Sequence, residues 1–290
     1  MKRKKPTVTI IGTGSLGTAL LHFFKSSTLA ICSSFNSKGG MLFKEKDKIT
    51  LSKNCPAEAS EIGDLIFITT PDDLIPKISE KLSAIEARWS QKCVVHCSGA
   101  LFSDELKAVS KKGADVAAMH PVQSFNRGDG KERFQGIFVT LEGDPNATES
   151  LRSIVESMGA VAVPASQSQK RDLHIAAVMV SNYVVSLMHS AESLLNESGL
   201  EDGMEMLRPL VLQTVENIFE KGTSKALTGP VARGDTETVS THLPNLKDSH
   251  RENIYRILGL EAVRLAEKSD KLSSVQAKSM KELLTTKTTE

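Results

Sequence analysis

The stretch Val8-Thr9-Ile10-Ile11-Gly12-Thr13-Gly14-Ser15-Leu16-Gly17-Thr18-Ala19-Leu20 decides how the first half of the chain must fold. It opens on a short run of β-branched residues, passes through three glycines and closes on helix formers. That is the order strand, tight turn, helix. The spacing Gly12-x-Gly14-x-x-Gly17 in that setting is the fingerprint of a dinucleotide-binding unit. Each glycine has a physical task. Gly12 makes the turn, Gly14 lets the backbone approach a pyrophosphate, and Gly17 lets the helix pack close to the strand. The backbone of Thr13, Ser15 and Leu16 then offers free N–H groups at the positive end of the helix dipole.

Downstream, strand patterns alternate with amphipathic helices over the first 165 residues, which predicts a mostly parallel sheet. Strands are expected at 8–11, 29–35, 64–70, 93–97, 116–119, 136–141 and 160–163. After Pro71, the residues Leu74, Ile75, Ile78, Leu82 and Ile85 recur at helical spacing, with Asp72 or Asp73 as the N-cap. From Gln167 the strand signals stop. Residues 170–198 read as one long helix, apolar around most of its circumference, which is therefore expected to be central and buried. Further helices are expected at 203–221, 252–268 and 276–284, with an ordered loop or helix break over 227–242. The organisation is an α/β Rossmann domain over 1–165 followed by an all-α domain over 166–290.

Composition narrows the function classes. The 290 residues are 40% hydrophobic and 24% charged, with a formal net charge of +1, a balance that points away from nucleic acid and from acidic membrane surfaces. The basic leader 1–5 precedes an apolar run far too short for a signal peptide or a membrane span. The four cysteines form no CxxC pair and have no histidine at zinc spacing, so no metal site is expected. Cys93 and Cys97 share a strand face roughly 13 Å apart and cannot pair there. A reducing cytoplasm fits these thiols.

The second strand bears on the nucleotide. An acid about 20 residues beyond the glycines would hold the ribose 2′-hydroxyl of NAD. Here the strand runs into Asn36-Ser37-Lys38, and the first acid is Glu45. Amide, hydroxyl and ammonium suit a 2′-phosphate, so NADP(H) is favoured over NAD(H). The plainer reading is a polar loop.

Four more stretches carry a resemblance: Thr69-Thr70-Pro71-Asp72-Asp73, His96-Cys97-Ser98-Gly99-Ala100, His120-Pro121-Val122-Gln123-Ser124-Phe125, and Leu227-Thr228-Gly229-Pro230-Val231-Ala232-Arg233-Gly234-Asp235. With the segment 170–182, they resemble a family of Rossmann-type NADP oxidoreductases carrying a DUF2520 C-terminal domain. That family is similar to pyrroline-5-carboxylate reductases, prephenate dehydrogenases and ketopantoate reductases. The resemblance covers nearly the whole chain. It implies a helical domain of the 6-phosphogluconate dehydrogenase C-terminal-like type, a nicotinamide cofactor, a small-molecule substrate and a homodimer formed through the helical domain. Ser98 and His120-Pro121 fall where prephenate dehydrogenases carry a serine and a His-Pro that engage the substrate hydroxyl. Lys170 and His174 fall where hydroxyacid and ketopantoate reductases carry Lys-x-x-x-Asn, with histidine here as the second member. Some related reductases use the deazaflavin F420, which leaves F420 open as the hydride partner. The resemblance names no substrate.

Hydride transfer to C=O or C=N needs a proton donor, or hydrogen-bond donors, at the developing negative charge. Such groups gather at the C-terminal ends of strands beside the switch point of the sheet, where Thr70, Ser98 and His120 are expected. Pro71 would shape the turn beside the nicotinamide. On the long helix, Lys170, His174 and Ser181 lie within about 40° of one another at 100° per residue, a polar stripe that could deliver His174 or Lys170 as general acid. Each has a plainer alternative. Lys170 could face solvent, His174 could be a satisfied core histidine, and His120 could pack at a strand end. Ser181 and Asn182 could bond across helices, although Asn182 is also a substrate candidate. Arg233 and Asp235 either brace their loop or reach the substrate. A binding protein that kept the NADP(H) pocket and lost the chemistry, a sensor or scaffold, is the alternative to a reductase.

Overall fold

A computed structural model describes residues 6–27, 29–42 and 49–286. The basic leader 1–5 and Glu45 lie outside the described residues. The chain starts with β1 (Thr7–Ile11), α1 (Ser15–Lys25), β2 (Ala30–Asn36), β3 (Gly40–Leu42), β4 (Ile49–Lys53) and β5 (Leu65–Ile68). It continues through α2 (Ile75–Ser83), β6 (Cys93–His96), α3 (Lys107–Ser110), β7 (Asp115–Pro121), β8 (Phe138–Gly143), α4 (Pro145–Ser157) and β9 (Val161–Pro164). The strands form one sheet in the order β3-β4-β2-β1-β5-β6-β7-β8-β9. Neighbours are parallel except β3 with β4 and β7 with β8. Only a 3₁₀ turn lies between β7 and β8, so no crossover helix is present to return the chain in the parallel sense.

Alternation along the central strands feeds two apolar layers. Val8, Ile10, Phe67, Val95 and Met119 pack with Leu20 and Phe24 of α1 and Leu151 and Val155 of α4. Ile11, Ile66, Ile68, Val94 and Val116 pack on the other face with Ile75, Ile78 and Leu82 of α2 and Val109 of α3. A sheet covered on both faces explains why its strands read as nearly continuous apolar runs. All seven expected strands are present; β3 and β4 are additional.

The chain divides into two compact units, one ending at Val178 and the other beginning at Met179. The helix α5 (Gln167–Val180) is therefore mostly part of the first unit. The second unit contains α6 (Asn182–Glu197), α7 (Gly203–Lys221), α8 (Thr223–Ala226), α9 (Pro230–Arg233), α10 (Thr236–His242), α11 (Ser249–Lys268) and α12 (Ser274–Thr285). Val239, Val263, Ala266, Met280 and Leu284 form its core. Arg251 of α11 clamps Glu197 at the end of α6 with two bonds of 2.7 and 2.8 Å.

Two expectations for this region are corrected. The single helix over 170–198 is interrupted at one residue: α5 ends at Val180 and α6 starts at Asn182, with Ser181 between them still in the right-handed helical region at φ −115° and ψ −71°. Nor is it buried: α6 has no buried residue, and Ile175, Val180 and Val185 are 53%, 74% and 69% exposed. An apolar circumference says that a surface needs cover, not that the same chain supplies it. By length and composition alone, 167–197 could also cross a bilayer. On α7, Met206, Leu210 and Phe219 are similarly exposed. The expected loop or helix break over 227–242 holds the short helices α9 and α10.

Candidate functional site

Going outward from β1, the sheet order runs to β2 on one side and β5 on the other, and the reversal opens a crevice at their C-terminal ends. The glycine loop lies in it. Gly12 sits at φ +103°, and a Cβ there would be 2.7 Å from the Thr69 carbonyl oxygen. Thr69 pins the turn in return, its hydroxyl donating to the Gly12 carbonyl at 2.7 Å and its N–H to Ile11 at 2.8 Å. At Gly17 a Cβ would lie 2.2 Å from the Gly12 carbonyl, so only glycine lets α1 sit this close to the turn. Gly14 is different: a Cβ there meets nothing within 4 Å and would project into open space. Gly12 and Gly17 thus have the turn and packing roles their spacing predicts, and Gly14 leaves an open face on the loop.

The crevice has a volume of about 820 Å³ and is lined by Gly12, Thr13, Gly14, Asn36, Ser37, Lys38, Thr70 and Pro71 among others. Ser15 and Leu16 open α1, with Leu16 packed on the core, so their contribution to the loop is backbone N–H. The Asn36 amide is committed to shaping the site. Its oxygen accepts the N–H groups of Lys38 and Gly39, and its nitrogen donates to Thr13 Oγ1 at 3.2 Å. This leaves Ser37 and the exposed Lys38 as the groups facing outward. The sequence reading missed Lys77, Lys81 and Arg127, which line the same crevice. Lys77 and Lys81 are one turn apart on α2, a spacing legible in sequence once the helix is assigned. Thr70 Oγ1 is buried without a partner and so has a hydrogen bond to give.

Beside the crevice, β6, β7 and α5 bring Ser98, His120, Lys170 and His174 together. The His120 and His174 rings are 5.7 Å apart, edge to face. Both close on Gly99, where a Cβ would lie 2.5 Å from His174 Nδ1 and 2.7 Å from His120 Nε2. His120 Nδ1 is buried without a partner. Burial, then the charge of Lys170, then His174, push the pKa of His120 down to about 4, so its imidazole is neutral near pH 7.

Hydrogen bonding alters the roles expected of Ser98, Asp72 and Lys170. Ser98 donates its hydroxyl to Asp72 at 2.8 Å and accepts the N–H groups of Ala100 and Leu101. Its one proton and both lone pairs are used inside the loop. Asp72 is therefore not the cap of α2. It holds Ser98, while Asp73 lies 3.9 Å from Lys77. The Lys170 ammonium is buried and donates to the carbonyls of Ser98 at 2.8 Å, of Gly99 at 3.2 Å and of Leu101. It is not the solvent-facing residue of the plainer reading, and all three of its donors are spent. Burial lowers its pKa to about 8, against the pull of Glu142 and Asp72.

His96 of the same motif is structural. It is fully buried, its Nδ1 accepts from the Ser98 N–H, and its Nε2 lies 2.9 Å from the Phe102 carbonyl. Desolvation brings its pKa to about 4. Buried Glu142 takes the Ser103 N–H and hydroxyl at 2.9 and 2.8 Å, closing the far end of the same loop.

In the second unit, Asp235 caps α10 by accepting from the N–H and hydroxyl of Thr238 at 2.9 and 2.7 Å. Asp235 is thus engaged at the start of its own helix, and Arg233, its partner in both readings of this loop, ends α9. Asn182 accepts from the neighbouring Ser181 hydroxyl at 2.9 Å. Among the described residues no group of His, Cys, Asp or Glu could hold a metal ion.

Comparison with known proteins agrees with this architecture. A Rossmann-like domain model matches residues 1–121, and the model of a domain of unknown function, DUF2520, matches 137–262. A structure of a Thermotoga maritima protein aligns at TM-score 0.67 and 24% identity, over 91% of this chain and 99% of that one. A Bacteroides fragilis protein described as a candidate NADP oxidoreductase aligns at 0.65 and 20%, over 96% and 98%. A reductive aminase from Aspergillus terreus in complex with NADPH aligns at 0.54 and 15%, over 97% and 93%. At these identities the likeness establishes the fold. No curated protein sequence matches the chain.

Proposed function

We propose that this chain, which joins a Rossmann-like domain to a DUF2520 domain, is an NADP(H)-dependent reductase acting on a C=N or C=O group of a small polar metabolite. The observation that carries the reading is the juxtaposition of two things in the first unit. One is a glycine-loop crevice with an unpartnered Thr70 hydroxyl. The other is a pair of imidazoles, His120 and His174, at the neighbouring strand ends. The fit to a dinucleotide rests on the open face of Gly14 and the N-terminus of α1 at the crevice. Lys38, Lys77 and Lys81 supply positive charge for a 2′-phosphate, which favours NADP(H) over NAD(H). Similar folds include an imine reductase in complex with NADP+ and a reductive aminase in complex with NADPH, which supports reduction at carbon–nitrogen double bonds.

When bound, the nicotinamide supplies or takes a hydride. The chain's own part is positioning and proton handling. His120, neutral near pH 7, presents a buried Nδ1 that can donate or accept a hydrogen bond at a polarised C=N or C=O. His174, half-buried, packs edge to face on that ring at 5.7 Å and can pass a proton. The exposed apolar faces of α6 and α7 are covered by a second copy of the chain. The protein works in a reducing cytoplasm, where Cys55, Cys93 and Cys97 stay thiols.

The test is NADPH consumption against a panel of imines, ketones and hydroxyacids, run both ways. Turnover that collapses in His120→Ala and His174→Ala, with cofactor affinity retained, supports the proposal. Nucleotide binding without turnover on any acceptor would mean a sensor or scaffold. Oxidation of reduced F420 by NADP+ would make the deazaflavin the hydride partner.

A further inference from the structure

The structure assigns Lys170 a positioning role: it fixes the loop 98–101 beneath the two imidazoles and holds a positive charge behind His120, so that the proton-handling group of the site is an imidazole and not this ammonium. This rests on the reductase reading for its catalytic consequence, but not for its geometry. The helix position left His174 and Lys170 both open as general acid, and the geometry sets the lysine apart from that role.

Three observations converge. The ammonium has three N–H donors, and three carbonyls, of Ser98, Gly99 and Leu101, take them. A group whose donors all end on backbone oxygens has none to aim at a substrate. The loop it grips is held from within as well. Ser98 N–H goes to His96, Ala100 and Leu101 N–H go to Ser98 Oγ, and Ser103 N–H goes to Glu142. Removing the lysine would take the donor from the carbonyls of Ser98, Gly99 and Leu101 together. Finally, the loop residue Gly99 is the surface on which His120 and His174 close, so any shift of the loop moves the rings.

The ammonium is charged throughout the range in which His120 titrates, since its pKa, lowered by burial, is still about 8. Glu142 and Asp72 lie near the ammonium on the favourable side, and the Phe102 ring sits 5.6 Å away. The charged or titratable groups facing His120 are Lys170 and His174 from α5 and Asp72 from the turn after β5. Lys170 and His174 lower the pKa of His120 and Asp72 raises it. Burial is the largest cause and stays in place, so loss of Lys170 moves His120 upward from about 4 only by the share its charge carries.

The experiment follows the histidine ring signals by NMR during a pH titration of the full chain, with His120 assigned through His120→Gln. It compares wild type, Lys170→Met and Lys170→Arg, and needs neither cofactor nor substrate. The expected result is that His120 titrates near pH 4 in wild type and at a higher pH, still below the ordinary 6.5, in Lys170→Met. It should stay below the ordinary histidine range in Lys170→Arg, which keeps the charge. If Lys170→Met does not fold, the arginine variant decides, because an ordinary His120 titration there overturns the assignment. An unchanged His120 midpoint in a folded Lys170→Met overturns it as well. NADPH binding measured on the same samples keeps the two readings apart: its absence counts against the reductase, while the titration alone judges Lys170.

Discussion

Gly14 and Gly17 differ by three positions and should fail in opposite ways. A Cβ at Gly17 would lie 2.2 Å from the Gly12 carbonyl and 2.6 Å from Thr69 Oγ1, where ordinary contact begins near 3.4 Å. Relief needs a displacement of about 1.2 Å. Neither obstacle yields readily: the Gly12 turn is hydrogen-bonded to β2 and the Thr69 hydroxyl to Gly12. The helix must therefore retreat from β1 and β5, opening the layer around Leu20 and Phe24. Overpacking of that kind costs about 1–3 kcal/mol, which for a chain of this size lowers Tm by roughly 3–10 °C. Gly17→Ala should also weaken NADPH binding, since the helix N-terminus moves with the helix. Gly14→Val should leave Tm within about 1 °C, because a Cβ there meets no protein atom within 4 Å, yet cost at least about tenfold in NADPH affinity by filling the crevice. Thermal unfolding and titration calorimetry on the two variants provide the comparison. A Gly17→Ala protein as stable as wild type would refute the packing argument, and a Gly14→Val protein with undiminished affinity would refute the placement of the cofactor.

Gly99→Ala should spread His120 and His174 by wedging a methyl between them. Displacements near 1 Å cost about 100-fold in turnover, so activity on the best acceptor should fall by that order with NADPH affinity unchanged; retained activity would remove the imidazole pair from the mechanism. Acidification should destabilise the fold through His96. Its folded pKa, about 4, lies below its ordinary 6.5, so between those values the unfolded chain binds the proton that the native state refuses, and stability falls as pH drops through that window. The loss is on the order of 3 kcal/mol, and a His96→Asn variant should show a flatter Tm profile from pH 6.5 to 4; an identical slope would exclude His96 as the cause. Leu210→Glu together with Phe219→Glu should convert a dimer to monomers by light scattering, and a wild-type chain already monomeric would contradict the proposed cover of α7.

The sheet was legible because a strand buried on both faces advertises itself as an apolar run between turn residues, as in Leu65-Ile-Phe-Ile68. The missed β3 and β4 are an edge hairpin of three and five residues, carrying Gly40 and Lys53, too short and too mixed to stand out. In the candidate site, sequence position indicated that Ser98, His120, Lys170 and His174 lie close together, since strand ends and the first turns of the following helix converge by topology. It could not give their roles. Lys170 lies some 70 residues from the carbonyls it holds, and Asp72 points across to Ser98 instead of down its own helix. Periodicity on α5 and α6 stated correctly that the surface is apolar, but the identity of its cover depends on assembly.

The most direct test of the cofactor and the crevice is titration calorimetry of the purified protein with NADPH and NADH, repeated on Lys38→Ala. The account predicts that NADPH binds more tightly than NADH and that the difference disappears in the variant. If neither nucleotide binds, the glycine loop is a structural turn and the reductase proposal fails.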